Sequence, residues 1–202
     1  MSFKSFLAEG ESVKHLELGD VCKISTGKHF KDYSFTNLGM PIIKAGNIKD
    51  GYVSDTNLTY CDPKDHVGTD TVKYGDIVVV KYGSIGVVGI NLLDQEFFYG
   101  IQIFKLAANK SIIHEKYLYH FLLSRQEEIK GLVRGSTIPG IRKSELEKIR
   151  IPIPSLEVQE KVANTLDKFR EIEREIEREI SLRDKQYEYY RNHLIMSSHD
   201  RK

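Results

Sequence analysis

The chain has 202 residues, 40% of them hydrophobic and 29% charged, with a formal net charge of +1. That suffices for one ordinary domain of about 100–200 residues plus an extended element, and it excludes wholesale disorder and a polycation. Any affinity for nucleic acid therefore has to come from where the cations stand, not from their excess.

Residues 1–10 lack the apolar run of a signal peptide, and no stretch approaches the roughly 20 apolar residues needed to cross a bilayer. A cytoplasmic protein with no membrane partner is expected. Cys22 and Cys61 have neither CxxC spacing nor a dense disulfide pattern, which fits two ordinary thiols in a reducing compartment. From Leu16 to Pro154 the sequence reads as short strands separated by glycine-rich turns. Residues 42–45, 76–81, 87–90 and 100–106 are rich in β-branched and aromatic side chains and are bounded by Gly, Asn or Asp. Over 114–130 the period changes: Tyr117, Leu118, Phe121, Leu122 and Ile129 lie near helical spacing and predict one amphipathic helix on the sheet. A strand at 149–153 closes the region. The mixture predicts an α+β domain whose sheet is twisted and mostly antiparallel or barrel-like.

Pro152 and Pro154 then interrupt the chain, because proline and the residue before it both resist helical geometry. Ser155 suits an N-cap, and Glu157 in the first turn suits the helix dipole. From Leu156 to about Met196 there is neither Gly nor Pro, which predicts a helix roughly 60 Å long at 1.5 Å per residue. Val162, Leu166, Phe169, Ile176, Ile180, Tyr187, Tyr190 and Leu194 recur alternately four and three apart, interrupted only by Glu173 and Arg183, with Ile172 beside the seam. This is the 3.5-residue period of a coiled coil. The expected division is a globular domain over 1–153 and a dimerisation or spacer helix over 154–202. Packing of the seam on its own domain is the competing arrangement, disfavoured by the length of the helix.

Three glycine-containing segments combine cations with hydrogen-bonding groups. Residues 25–33 carry Lys28, Lys31 and Tyr33 with His29 and Phe30 between them, a basic stretch with interleaved aromatics. Residues 81–86 form a sharp connection that would project Lys81, Tyr82 and Ser84. Residues 134–143 offer Arg134, Ser136, Thr137, Arg142 and Lys143, which suit phosphate contact. A weaker fourth group is Lys44, Asn47 and Lys49 around Gly46. Asn47 and Gln102 are of the type that reads adenine. Any one of these loops is explicable as an ordinary solvated turn, and Gly83 and Gly86 serve simple strand reversal equally well. It is the set of them that points to nucleic acid.

No catalytic pattern accompanies these loops. The sequence has no P-loop, HExxH, glycine-rich cofactor loop or Asn-Pro-Pro-Tyr-like adenine pocket. Asp62 and Asp65, like Glu128 with Lys130, are superficially nuclease-like but belong to separate predicted elements. His114 and His120 are expected on a helix surface, and neither metal nor cofactor is expected.

Four stretches in this order carry a family resemblance. They are Leu18-Gly-Asp-Val-Cys-Lys-Ile-Ser-Thr-Gly27, Gly75-Asp-Ile-Val-Val-Val-Lys-Tyr-Gly-Ser-Ile-Gly86, Ile149-Arg-Ile-Pro-Ile-Pro-Ser-Leu-Glu-Val-Gln159 and Lys185-Gln-Tyr-Glu-Tyr-Tyr-Arg-Asn-His-Leu194. Over about residues 16–195 the chain resembles the specificity subunit of type I restriction–modification enzymes. The resemblance implies a non-catalytic target-recognition domain that reads half of a bipartite site in double-stranded DNA. It also implies long helices that space the half-sites and dock methyltransferase subunits, which bind S-adenosylmethionine and methylate adenine. An ATP-dependent translocase and nuclease subunit joins for restriction. Members of that family typically hold two recognition domains and two helices, whereas this sequence has one of each. A homodimer with antiparallel helices and true twofold symmetry would restore the arrangement and favour a symmetric, interrupted site. Two other classes compete: a coiled-coil protein-interaction module without DNA specificity, and a standalone DNA-processing enzyme.

Overall fold

The computed structural model describes residues 13–31, 35–135 and 139–196, the side chains of Asp65 and Met196 excepted. The chain opens with β1 (Lys14–Glu17), a single helical turn α1 (Leu18–Val21) and β2 (Cys22–Thr26). Short strands follow: β3 (Phe35–Thr36), β4 (Met40–Ile43), β5 (Ile48–Lys49), β6 (Tyr52–Val53) and β7 (Thr59–Cys61). The apolar segments expected at 76–81, 87–90 and 100–106 overlap β8 (Ile77–Val80), β9 (Val88–Ile90) and β11 (Ile103–Ala108), and the one at 42–45 overlaps the end of β4; β10 (Phe98–Tyr99) falls in none of them. Then come α2 (Glu115–Ser124), α3 (Gln126–Gly131), β12 (Val133–Arg134), β13 (Gly140–Ile141), α4 (Lys143–Glu147), β14 (Arg150–Ile153) and α5 (Leu156–Met196).

The central sheet has six strands in the order β2-β11-β8-β9-β6-β5, and β8 is buried at every position. That explains why Ile77-Val-Val-Val80 is apolar throughout instead of alternating: both of its faces are covered. A second sheet runs β10-β4-β7-β3, and β1 pairs with β14 in a separate ladder that sets Lys14 opposite Ile153. Pairing is antiparallel except between β4 and β10 and between β6 and β9. The fold is therefore α+β, and no barrel closes among the described residues; the ladders are open. Ile43, Val78, Val80, Phe97, Tyr99 and Ile103 belong to one core cluster, and Phe30, Ile42, Cys61 and Phe98 form another. Both cysteines are buried and neither is in a disulfide, and burial pushes the Cys22 thiol up to about 12, away from the reactive thiolate.

The helix expected over 114–130 is two helices, because Arg125 (φ −104°, ψ 12°) leaves helical geometry between α2 and α3. Tyr117, Leu118, Leu122 and Ile129 are buried as the spacing predicts. His120, expected on the helix surface, is instead buried, its ring 4.9 Å from that of Tyr119. Packing divides the chain after Val162, eight residues or so beyond the proline pair, so the first turns of α5 belong to the globular unit. Gln159 anchors them: fully buried, it accepts from the His114 amide and donates to the carbonyls of Ile112 and Pro154. The second unit is the remainder of a 41-residue helix, and its residues 171–195 are exposed on every face.

Candidate nucleic-acid interface

Sheet register decides which loops meet. Val80 pairs with Ile103, and Thr26 with Phe104, in antiparallel ladders. The segments leaving β2 and β8 and the turn entering β11 therefore emerge at one end of the central sheet. The Gly100 amide donates to the Ile43 carbonyl, which brings in the end of β4, and the Ile141 amide donates to the Lys81 carbonyl, which brings in β13. The described parts of the first three loops, together with Lys44 of the fourth group, thus reach the same end, though nothing in their spacing along the chain announces it.

Two recesses form there. The first, about 370 Å³, is lined by Lys81, Tyr82, Arg134, Gly135, Gly140, Ile141, Arg142 and Lys143, and so joins the second and third loops. Among the described residues four cations line it and no carboxylate does. Lys81 is held over the rings of Tyr82 and Phe104, 4.8 and 5.1 Å from their centroids. Tyr82 lies so close to Gly140 that a Cβ there would fall 2.2 Å from its ring, so any larger residue would push the tyrosine from this position. Arg134 donates to the carbonyls of Gly131 and Val133, and Lys143 has Glu147 at 3.4 Å. Arg142 is exposed just before α4.

The second recess, about 280 Å³, is lined by Lys28, His29, Phe30, Phe35, Ile42, Lys44, Gly100, Ile101 and Gln102, and joins the first and fourth loops. Its walls are aromatic and aliphatic and its rim is cationic. The Lys44 ammonium stands 4.5 Å from the Phe35 centroid, a cation–π contact. The Lys28 Nζ reaches His66 Nδ1 and Thr69 Oγ1, each at 3.4 Å. The two recesses share the turn before β11. Gln102, exposed in the second, accepts the Lys81 amide of the first on its carbonyl at 2.7 Å.

The segment carrying Thr69 is fastened from beneath. The ammonium of buried Lys105 donates to the Asp70 carboxylate and, at 2.8 Å, to the Thr71 carbonyl, while the Tyr99 hydroxyl donates to Asp70 at 3.0 Å. Burial raises the Asp70 carboxyl, but the Lys105 and Tyr99 hydrogen bonds outweigh it and leave the group below its ordinary value. Tyr99 is pushed up, first by burial and then by Asp70.

The remaining site residues divide. Lys31 and Ser84 are exposed. Tyr33, Ser136 and Thr137 lie outside the described residues. Lys49 sits on β5, at the far edge of the central sheet from β2, and lines neither recess. Asn47 is a correction. It is buried; its Oδ1 accepts the Lys44 amide and its Nδ2 donates to the Thr56 carbonyl, both at 2.9 Å, so its amide is committed to a turn and not free to read a base. Two contributors carried no sequence signal: Phe35, in a two-residue strand too short to show a period, and Gly140, whose role lies in what it lets Tyr82 do. Among the described residues no group of three or more His, Cys, Asp and Glu side chains is placed to hold a metal, and no helix is long and apolar enough to cross a membrane.

Fold and site define a class: a small α+β binding domain with a cationic end, carrying a long helix with an apolar seam. The chain belongs to the type I restriction–modification specificity family, matching the family model for the type I restriction modification DNA specificity domain over residues 10–182. It is 30% identical over 193 residues to a Haemophilus influenzae protein assigned as a type I restriction enzyme specificity subunit, covering 92% of this chain and 48% of that protein. The crystal structure of the type I restriction–modification system S subunit from M. genitalium superposes with a TM-score of 0.61 at 25% identity, covering 82% of this chain and 41% of that one. A chain from a structural study of complex assembly in the type I system has the same fold, with a TM-score of 0.66 at 19% identity over 83% of this chain and 42% of that one. This chain thus spans about half the length of the relatives it matches.

Proposed function

We propose that this chain is a DNA-reading specificity module of a type I restriction–modification system. It reads one half-site in duplex DNA and directs adenine methylation, and restriction, by partner methyltransferase and nuclease–translocase subunits. It is not itself an enzyme. The observation that carries this reading is the convergence of three separate loops and Lys44 on one sheet end, with four cations and, among the described residues, no carboxylate lining the larger recess. Lys81, Arg134, Arg142 and Lys143 would hold phosphates, which gives affinity without sequence information. Lys28, Lys44 and Gln102 beside the aromatic recess have the donors and acceptors for base edges. On this reading residues 1–153 are the target-recognition domain, which also holds the first turns of the helix, and 154–202 the spacer and dimerisation helix, two copies pairing through the seam from Val162 to Leu194. A coiled-coil module without DNA specificity would leave the cationic end unexplained, and no observation favours it.

Fluorescence anisotropy with duplex DNA across a salt series tests the reading. Four to six phosphate contacts predict that log affinity falls linearly with log salt, by about 0.9 per contact neutralised. Binding that is absent at low salt, or indifferent to salt, would refute it.

A further inference from the structure

We infer that α5 pairs antiparallel with α5 of a second copy of this chain in one register only, the one that sets Glu173 against the partner's Arg183. This rests on the reading that a second copy covers the seam, and adds what fixes orientation and alignment. Phe169, Ile176, Ile180, Tyr187 and Tyr190 are each more than half exposed in the single chain, so the apolar stripe stands uncovered there. Its steps alternate four and three and form their own mirror image about residue 178. An antiparallel pair with its twofold axis at 178 therefore aligns every seam position. Ile176 meets the partner's Ile180, Phe169 its Tyr187 and Leu166 its Tyr190. The only two polar seam positions, Glu173 and Arg183, fall opposite each other, once on each side of the axis.

The alternatives are worse for a stated reason. Parallel in-register helices would set Glu173 against Glu173 and Arg183 against Arg183. An antiparallel pair slipped by one heptad in either direction would place each of these charges opposite Ile, Leu or Tyr. A charge left unpaired in an apolar seam is costly, and single polar layers commonly fix register for that reason. Beside the seam the preferred alignment also sets Arg170 against the partner's Asp184. Its cost is that Glu177 and Glu179 each approach their own copies near the axis. That cost is softened because Arg183 already holds Glu179 at 2.8 Å. The guanidinium has donors enough to keep Glu179 and take the partner's Glu173 as well. Glu173, about half exposed, is held in the free helix by the partly buried Arg170 at 2.6 Å, an i,i+3 contact that leaves the carboxylate lone pairs for the partner's Arg183.

Cysteine cross-linking on the full chain tests orientation, with little background expected because Cys22 and Cys61 are buried. The double variant Phe169→Cys/Tyr187→Cys should give a covalent dimer under mild oxidation, and Phe169→Cys alone should not. Sedimentation tests register: Glu173→Arg and Arg183→Glu should each weaken the dimer by about tenfold or more, and the two together should restore it. Cross-linking by Phe169→Cys alone would establish parallel helices, indifference to both charge reversals would establish another register, and a monomer at every concentration would remove the second copy; each overturns the inference. A correctly registered dimer that binds no DNA would leave the inference standing and remove only the functional reading.

Discussion

Arg142 and Asn47 are both polar residues in glycine-containing loops near the cationic end, yet they do opposite work. Arg142 is exposed on the rim of the larger recess, while Asn47 is buried with both amide atoms bonded to backbone. Replacing each with alanine should separate the roles. Arg142→Ala should reduce DNA affinity and flatten the salt slope by about 0.9 if it holds one phosphate, with the melting temperature unchanged. Asn47→Ala should cost about 1–3 kcal/mol of stability by leaving a turn amide and carbonyl unanswered, and should change the slope little. Anisotropy and thermal melts on the same two proteins decide this; a reversed pattern would exchange the assignments. At this scale the sequence supplied residue type and nothing more. It marked Lys81 and Arg142 as cations in loops but had no way to mark that Asn47's hydrogen bonds are used up nine residues away, at Thr56.

Among the elements, legibility followed length and period. β8 was readable because an unbroken Ile/Val run has few other uses, β11 in part because Ile and Phe cluster after a glycine, and α5 because 41 residues without Gly or Pro leave no other choice. The two-residue strands β3, β5 and β12 were not, since they exist only through their partners. Nor was the strap over 69–76, which depends on a lysine inside β11 reaching 34 residues back to the Thr71 carbonyl. That strap makes stability depend on pH in a definite sense. Asp70 has a folded-state pKa below its unfolded one, so its contribution is present above the ordinary carboxylate value and is lost as pH falls through the lower, folded value. Asp76, raised chiefly by burial, contributes with the opposite sign and reduces the net effect. Asp70→Asn should therefore melt lower than the parent near neutral pH, and the gap should narrow as pH drops below about 4. A gap that stayed constant with pH would mean the carboxylate charge is not what Lys105 holds. The effect should be modest, because Asp70 is half exposed and water screens the pair.

At the scale of the whole molecule, the functional consequence lies in symmetry. In the proposed pair, two readers joined about a twofold axis at residue 178 would present the same groups to both halves of a duplex site. Identical readers related by a twofold accept identical half-sequences on opposite strands, because protein symmetry is mirrored in the site it prefers. This chain, expressed with a cognate methyltransferase subunit, should thus modify adenines within an inverted repeat whose halves are separated by a fixed, unread gap. Methylome sequencing gives the motif directly. Two unlike half-sites would mean that a second, different reader occupies the far end of α5, even if the domain binds DNA as proposed. A symmetric motif whose gap survived Glu173→Arg unchanged would instead place the control of spacing outside the helix pair. On that proposal the rod matters less as a source of stability than as a ruler: its seam would set which residues of two copies stand level, and that alignment would set which bases can be read together.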